Sequence, residues 1–316
     1  MKFSSGNFIF FSVDNGAKVI YNIMVKRYEI YYVKRTLMKD KRVVTLQDIS
    51  CFGKCSITVA LPVLSSMGIS CSVVPTSVLS THTGGFTGYT FRDLSDDIPK
   101  IADHWVSEGL KFDGIYTGYL GNEKQIELII DFIDRFSENS PLVFVDPAMA
   151  DDGKLYSGFD TNFARCMKRL CKKADILVPN MTEASLLLEI DYKERGTYDE
   201  AYVLDILKGL CSLGASCAVL TGVSFDGVHQ GCVSYDSKTG ISHSYFRETL
   251  PVQTHGTGDV FASSLFGALM LGKTLPEGMK IAVDFTVASM RATMGDETHT
   301  FGVKFEQCLG GLISSL

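Results

Sequence analysis

The sequence predicts an α/β fold with a mainly parallel central sheet that is covered by helices on both faces. After Lys41, short apolar runs alternate with amphipathic stretches, as expected when strands are joined by crossover helices. The runs are almost wholly apolar, which is typical of strands buried on both faces. Six strands are predicted, at Val43–Gln47, Cys71–Val74, Gly114–Thr117, Leu142–Val145, Ile176–Val178 and Cys217–Thr221.

The clearest predicted helix runs from Glu123 to Phe136. Isoleucines at positions 126, 129, 130 and 133 repeat at helical spacing, so they share one apolar face. Asn122 can cap the start of this helix by accepting a backbone hydrogen bond, with Gln125 three residues further on.

Two later runs, near residues 229–235 and 241–246, break the alternation and predict a β-hairpin. The turn-rich stretch Asp236–Gly240 separates them. No linker, repeat or low-complexity tract interrupts residues 41–316, which are therefore predicted to form a single domain. Ligands of open parallel sheets bind beyond the carboxyl ends of the strands, so the loops that follow the strands are where functional residues are expected.

The first forty residues differ from the rest in charge and patterning. Residues 1–40 carry seven Lys or Arg against three Asp or Glu, a net charge of +4, so residues 41–316 carry −10 of the total of −6. Their apolar run is short and no small-residue cleavage site follows it, which disfavours a signal peptide. We expect residues 1–40 to be an extension outside the fold, with Met38 as a candidate initiator.

Composition excludes several classes of function. A net charge of −6 and a pI near 5.6 disfavour a broad basic surface for nucleic acid. No stretch supplies the ~20 apolar residues of a membrane-spanning helix. Nine cysteines occur without paired Cys-x-x-Cys spacing, which disfavours a zinc site and predicts reduced thiols in a cytoplasmic protein. Small molecules are the expected partners.

The stretch QTHGTGDVFASSL, residues 253–265, joins a glycine-rich turn to the start of an amphipathic helix. Backbone N–H groups at a helix start lack intrahelical partners and favour anions, and Gly256 and Gly258 let an anion approach closely. Asp259, beside this anion site, is placed to take a proton from a nucleophile that attacks a bound phosphoryl group. The structural alternative is a plain turn with an acidic first helical turn, in which Thr257 caps the helix.

This motif resembles the C-terminal signature of the ribokinase-like superfamily, and further segments resemble pyridoxal kinases in order and spacing. The resemblance covers about residues 41–300. It implies a three-layer α/β/α sandwich and the Mg-ATP-dependent phosphorylation of the 5′-hydroxymethyl group of pyridoxal, pyridoxine or pyridoxamine. The further segments are VVTLQDISCFGKCSITVALPVLSSMG (43–68), VLSTHTGGF (78–86), YTGYLGN (116–122), VFVDPAMADDGKLY (143–156) and ADILVPNMTEASLL (174–187).

The resemblance also implies roles for residues around the transferred phosphate. Asp259 matches the catalytic base of the superfamily, and Gly256, Thr257 and Gly258 match its anion hole. Asp146 matches a position that helps to bind Mg²⁺ and the ATP phosphates. Glu183 matches an acid that orients water around Mg²⁺, although Asn180 followed by Glu183 is also a helix-capping pattern. Thr221 and Gly222 match a contact to the ATP phosphates, with an ordinary Thr-Gly turn as the alternative.

On the acceptor side, His82 and Thr83 match the ring-binding segment of pyridoxal kinases, and Tyr119 matches an aromatic position near the substrate. The sequence departs from the usual pattern after its first strand, where Gln47-Asp48-Ile49 replaces Gln-Ser-His. Asp48 therefore stands where a serine contacts the ring nitrogen, and an acid could pair with a protonated pyridine nitrogen. This change leaves the preferred vitamer open.

Two other functions remain open at the level of sequence. One is a kinase for hydroxymethylpyrimidine or another small heteroaromatic alcohol, although some enzymes of that branch carry Cys in place of the acid after Gly-Thr-Gly. The other is a non-catalytic carrier of nucleotide or pyridoxal phosphate. The resemblance further implies a homodimer and leaves room for a monovalent cation.

Overall fold

The computed structural model describes residues 40–252 and 254–316, and within it Lys41–Leu316 form one compact unit. The predicted extension, residues 1–40, lies outside the described residues except for Asp40. No helix in the described part of the chain has the length and apolar character needed to cross a membrane.

The described residues contain a nine-stranded sheet in the order β11-β10-β9-β8-β5-β4-β1-β2-β3, and a separate pair of short strands, β6 and β7. Six strands of the large sheet run parallel to one another, and these are the six that the sequence predicts. The strands are β1 (Arg42–Ser50), β2 (Ser70–Leu79), β3 (Phe91–Asp93), β4 (Gly114–Thr117), β5 (Leu142–Val145), β6 (Ala150–Asp151), β7 (Lys154–Leu155), β8 (Ile176–Leu177), β9 (Cys217–Val223), β10 (His229–Asp236) and β11 (Ser242–Glu248).

Antiparallel pairing is confined to the two edges of the large sheet. The predicted hairpin is confirmed, since β10 pairs antiparallel with both β11 and β9. At the other edge, β3 pairs antiparallel with β2. The sequence analysis missed β3 because its residues Phe91, Arg92 and Asp93 are all exposed and lack the apolar pattern of a buried strand.

Helices connect the strands and supply both outer layers. The predicted helix at residue 123 is confirmed, and the Asn122 side chain accepts a hydrogen bond from the Gln125 backbone N–H at 3.0 Å. The helices are α1 (Ile57–Ser66), α2 (Ile98–Ser107), α3 (Glu123–Arg135), α4 (Thr161–Cys171), α5 (Met181–Leu188), α6 (Glu200–Ser212), α7 (Thr257–Met270), α8 (Leu275–Thr293) and α9 (Leu309–Ser315).

Each face of the sheet packs against its own hydrophobic core, which confirms the three-layer α/β/α sandwich. One core contains residues of α2–α6, and the other contains residues of α1, α7, α8 and α9. Adjacent residues of a strand divide between the two cores, as Val43 and Val44 of β1 do, because successive side chains point to opposite faces of a sheet. This double burial explains why the strands read as continuous apolar runs.

The fold gathers the predicted functional residues at the carboxyl ends of the parallel strands. Asp48 lies near the end of β1, Tyr119 follows β4, Asp146 follows β5, and Thr221 lies in the last part of β9. The start of α7 reaches the same edge, because Gly256 packs against the loop between β1 and α1. The loops that follow the strands therefore form the candidate site.

Candidate active site

The start of α7 has the geometry of an anion-binding turn. Gly256 occupies the position before the helix with a φ of 80°, and no side chain caps the first turn. A Cβ atom at Gly256 would lie 1.9 Å from the carbonyl oxygen of Lys54, so only glycine fits there. The alternative in which Thr257 caps the helix is not seen, because Thr257 is the first helical residue. The first N–H groups of α7 lack intrahelical partners and are therefore available to an anion.

Asp259, the third residue of α7, sits beside these N–H groups. Burial raises the pKa of its carboxyl group to about 7, the negative charge of Asp48 adds to the rise, and the backbone N–H of Ser56 opposes it. A carboxyl group with a pKa near 7 is well matched to general-base catalysis at neutral pH.

Asp48 approaches the same cleft from β1. Its side chain is 3% exposed and accepts a hydrogen bond from the Ser50 hydroxyl at 2.9 Å. Burial raises the pKa of Asp48, while the hydroxyls of Ser56 and Ser50 oppose the rise. Burial also raises the pKa of Tyr119, and the charge of Asp48 raises it further. Asp48 therefore lies within electrostatic reach of both Tyr119 and Asp259.

Asp146 and Glu183 form a second pair of buried acids next to Asp259. Burial raises the pKa of Asp146 well above its ordinary value, and the charges of Glu183 and then Asp259 add to this. Glu183 is 3% exposed, and burial raises its pKa to about 8. A bound cation stabilises the ionised form of buried carboxyl groups such as these.

The capping pattern predicted for Glu183 is confirmed. One carboxylate oxygen of Glu183 accepts from the Asn180 N–H at 2.8 Å, and the Asn180 side chain accepts from the Glu183 N–H at 2.9 Å. The other Glu183 oxygen accepts from the Met149 N–H at 3.1 Å. These bonds fix the orientation of the Glu183 carboxylate.

The donor set suits a hard cation that retains its waters. Among residues 40–252 and 254–316, no group of three or more His, Cys, Asp or Glu side chains is arranged to enclose a metal ion. Mg²⁺ usually binds through one or two carboxylates, several waters and substrate phosphates. Asp146 and Glu183 fit that pattern, and they do not fit a closed protein cage.

Thr221 and Gly222 lie next to the start of α5. Thr221 forms a bridge with Asn180, and its N–H donates to the Pro179 carbonyl at 2.9 Å. Gly222 has a φ of 70°, a conformation that glycine adopts readily. Both residues are thus at the same sheet edge as Glu183, where the sequence analysis places the ATP phosphates.

His82 and Thr83 lie in the loop that follows β2, and this loop contacts the anion-binding turn. The His82 side chain is 5% exposed, and its ring lies 5.2 Å from the ring of His255. Burial lowers the pKa of His82, and the neighbouring His255 lowers it further. A Cβ atom at Gly84 would lie 2.6 Å from the His255 ring, so Thr83, which is half-buried, is held close to the turn.

Sequence reasoning missed two residues of this cleft. Ser56 precedes α1 with a φ of 48° and makes no side-chain cap; its hydroxyl instead lies beside Asp48. A serine before a helix is a recognisable start signal, but its partner cannot be read from the sequence. Tyr156 lies in the segment 143–156, and the charges of Glu183, Asp151, Asp146 and Asp259 add to the rise in its pKa that burial causes.

The chain resembles characterised kinase families in sequence and in structure. The family described as phosphomethylpyrimidine kinase matches residues 55–303. A Bacteroides thetaiotaomicron protein described as a phosphomethylpyrimidine kinase, in a crystal form with pyridoxal, is 35% identical with a TM-score of 0.82, over 87% of this chain and 96% of that one.

A pyridoxal kinase from Lactobacillus plantarum is 31% identical with a TM-score of 0.78, over 87% of this chain and 97% of the other. The hydroxymethylpyrimidine/phosphomethylpyrimidine kinase of Bacillus subtilis is 25% identical over 79% of this chain and 83% of its own. These matches confirm the resemblance to pyridoxal kinases and the ribokinase-like fold. The chain therefore belongs to the phosphomethylpyrimidine kinase family of ribokinase-like enzymes.

Proposed function

We propose that the protein is an ATP-dependent pyridoxal kinase, which phosphorylates the 5′-hydroxymethyl group of pyridoxal, pyridoxine or pyridoxamine. The observation that carries the proposal is the position of Asp259, a half-buried acid in the first turn of α7 beside backbone N–H groups that have no intrahelical partner. Its pKa is raised to about 7. An acid beside an anion-binding turn is used most directly to remove a proton from a nucleophile.

Asp259 acts as the base while the phosphoryl group moves. The acceptor alcohol is too weak an acid to ionise beforehand, so its proton passes to the Asp259 carboxylate as the oxygen–phosphorus bond forms. The bond between the γ-phosphorus and the bridging oxygen of ATP breaks, and ADP leaves. The N–H groups around Gly256, Thr257 and Gly258 stabilise the charge on the transferred phosphoryl oxygens.

Asp146, Glu183, Thr221 and Gly222 form the nucleotide side of the proposed site. Asp146 and Glu183 would hold hydrated Mg²⁺, which neutralises phosphate charge when bound. Thr221 and Gly222 would contact the ATP phosphates from the end of β9. A monovalent cation, a homodimer and a cytoplasmic location stay predictions from the sequence.

Asp48, His82, Thr83 and Tyr119 form the acceptor side. Heteroaromatic ligands bind between an apolar face and a few placed polar groups, and Tyr119 with its neighbour Phe159, 5.5 Å away between ring centroids, offers such a face. The lowered pKa of His82 favours the neutral imidazole, which can both donate and accept a hydrogen bond. Asp48 would pair with a donor on the acceptor ring.

Hydroxymethylpyrimidine is the alternative acceptor, because the Bacillus subtilis relative is named a hydroxymethylpyrimidine/phosphomethylpyrimidine kinase and the matching family is described as phosphomethylpyrimidine kinase. Some enzymes of that branch carry Cys where this chain has Asp259, and this difference favours pyridoxal as the acceptor. A non-catalytic carrier is the remaining alternative, and the presence of Asp259, with its pKa raised to about 7, disfavours it.

Side-by-side assays separate these functions. The purified protein is incubated with Mg-ATP and either pyridoxal or hydroxymethylpyrimidine, and ADP and the phosphorylated product are both quantified. We expect ADP and pyridoxal 5′-phosphate in equal amounts, with a higher kcat/KM for pyridoxal. A higher kcat/KM for hydroxymethylpyrimidine would replace the proposed acceptor, and binding of both ligands without either product would favour the carrier.

A further inference from the structure

A cluster of buried polar side chains lies beneath the first turns of α7, outside the groups discussed so far. Gln47 of β1, Tyr116 of β4 and Ser263 of α7 are each 0% exposed. We call these three residues the buried polar cluster. Among the residues that the structure describes, the Gln47 Oε1, Tyr116 Oη and Ser263 Oγ atoms have no hydrogen-bond partner. The three side chains are nevertheless neighbours. The Gln47 amide nitrogen is satisfied by the Thr45 hydroxyl at 2.7 Å.

The packing of α7 along β4 brings the cluster together. A Cβ atom at Gly114 would lie 2.8 Å from Phe266 of α7, and the ring of Tyr116 lies 5.5 Å from the ring of Phe266. Ser263 is about one helical turn before Phe266, and its hydroxyl neighbours that of Tyr116. Asp259 lies four residues before Ser263, which is about one further turn along the same face.

The other side of the cluster leads to the end of β1. A Cβ atom at Gly118 would lie 2.8 Å from the Gln47 side chain, so the residue that follows β4 is a glycine where Gln47 needs space. Gln47 directly precedes Asp48. The cluster therefore touches both the strand that carries Asp48 and the helix that carries Asp259.

The chemistry of the three groups is complementary. The Gln47 Oε1 atom accepts only, whereas the Tyr116 and Ser263 hydroxyls both donate and accept. Burial raises the pKa of Tyr116 well above its ordinary value, and the charges of Asp146 and Asp259 raise it further, so its hydroxyl remains a donor. Buried polar groups left unpaired are costly, which favours small rotations that join the three atoms into one network.

We propose that Tyr116 is a positioning residue, whose hydroxyl joins Gln47 and Ser263 into a network that fixes the first turns of α7 against the end of β1. This inference rests on the proposed function. The network would hold the Asp259 carboxylate and the anion-binding N–H groups in the geometry that the transferred phosphoryl group requires. Because reaction rates fall steeply when a catalytic group is misplaced, its loss should lower kcat more than it weakens binding.

The test compares variants that remove one hydroxyl each. Tyr116→Phe keeps the ring that packs on Phe144 and Phe266, and Ser263→Ala removes the partner hydroxyl. Ser264→Ala is the matched control, because the Ser264 hydroxyl bonds only to carbonyls of its own helix, Val260 at 2.7 Å and Phe261 at 3.1 Å. It changes the same atoms at an equally buried position.

We expect Tyr116→Phe and Ser263→Ala each to lower kcat roughly tenfold, with KM for ATP and for the acceptor within about twofold of wild type. The double variant should be no slower than Tyr116→Phe alone, since residues of one network are not additive. Ser264→Ala should stay within about twofold of wild type. Unchanged kcat in the single variants, or a double variant whose loss is the product of the two, would overturn the network.

The wild-type assay separates this inference from the proposed function. If the wild-type protein phosphorylates no acceptor, the proposed function fails and the positioning role fails with it. The wild-type protein could instead be active while kcat is unchanged in Tyr116→Phe and Ser263→Ala, or while the loss of kcat in the double variant is the product of the two single losses. In either case only the positioning role is overturned. A fall in the melting temperature with kcat unchanged would assign Tyr116 to structure alone.

Discussion

At the scale of single residues, the most informative interaction is the electrostatic one between two acids that come from different elements. Asp48 on β1 is buried and Asp259 on α7 is half-buried, and the charge of Asp48 adds to the rise in the pKa of Asp259 that burial causes. A like charge in a poorly solvated cleft disfavours ionisation. Asp48 therefore raises the pKa of Asp259, and in the proposed function it would also offer an acceptor to the substrate ring.

Replacing Asp48 should separate these effects. In Asp48→Asn the negative charge is lost, so the pKa of Asp259 falls and the acid limb of the kcat/KM profile against pH moves to lower pH. The KM for the acceptor should rise several-fold, because a hydrogen bond to a charged group is lost. The measurement is kcat/KM from pH 5 to pH 9. The control is Asp205→Asn, which removes an exposed acid. If the acid limb moves equally in both variants, or in neither, Asp48 does not set the protonation of Asp259.

At the scale of elements, the junction before α7 depends on one backbone conformation. Gly256 has a φ of 80°, and a Cβ atom there would lie 1.9 Å from the carbonyl oxygen of Lys54. A Cβ atom at Gly258 would have no neighbouring atom within 4 Å. The two glycines of the motif look equivalent in the sequence. Only the first is required by the backbone and its packing.

Gly256→Ala should therefore be far more disruptive than Gly258→Ala. A left-handed conformation costs a residue with a Cβ atom about 1–2 kcal/mol, and the clash with Lys54 adds to this. We expect the melting temperature of Gly256→Ala to fall by at least about 2 °C, while that of Gly258→Ala is unchanged or higher, because alanine favours the helix. Equal melting temperatures of the two variants would show that the turn is not held as described.

At the scale of the whole molecule, the site concentrates buried acids at one edge of the sheet. Asp146, Glu183 and Asp259 all have raised pKa values in the folded protein, the latter two to about 8 and about 7. A carboxyl group with a raised folded-state pKa binds its proton more tightly when folded. Its contribution to stability is present at low pH and is lost as the pH rises from the unfolded value through the folded one.

The free energy of unfolding should therefore fall between about pH 5 and pH 8 in the absence of divalent cations. Asp259→Asn cannot ionise, so its stability should fall less over this range and exceed that of wild type at pH 8. Urea unfolding at pH 5, 6.5 and 8 measures both effects. Parallel profiles for the two proteins would show that Asp259 is ionised in the folded state throughout.

More of the fold than of the site could be predicted from the sequence. The six parallel strands and α3 could be predicted because burial on two faces, or on one helical face, leaves a local apolar pattern. The edge strand β3 could not, since Phe91–Asp93 is short and exposed. Within the site, sequence motifs located the acids and the glycine turn. They could not show that the Ser56 hydroxyl lies beside Asp48 or that Tyr116 contacts Ser263, because these contacts depend on the folded chain.

The most direct test of the central claim is the turnover of Asp259→Asn, measured together with its affinity for ATP. If Asp259 is the base, kcat should fall by at least about 100-fold, while the dissociation constant for ATP stays within a few-fold of wild type, because asparagine keeps the shape of the site without accepting the proton. A variant that retains near-wild-type turnover would contradict the account.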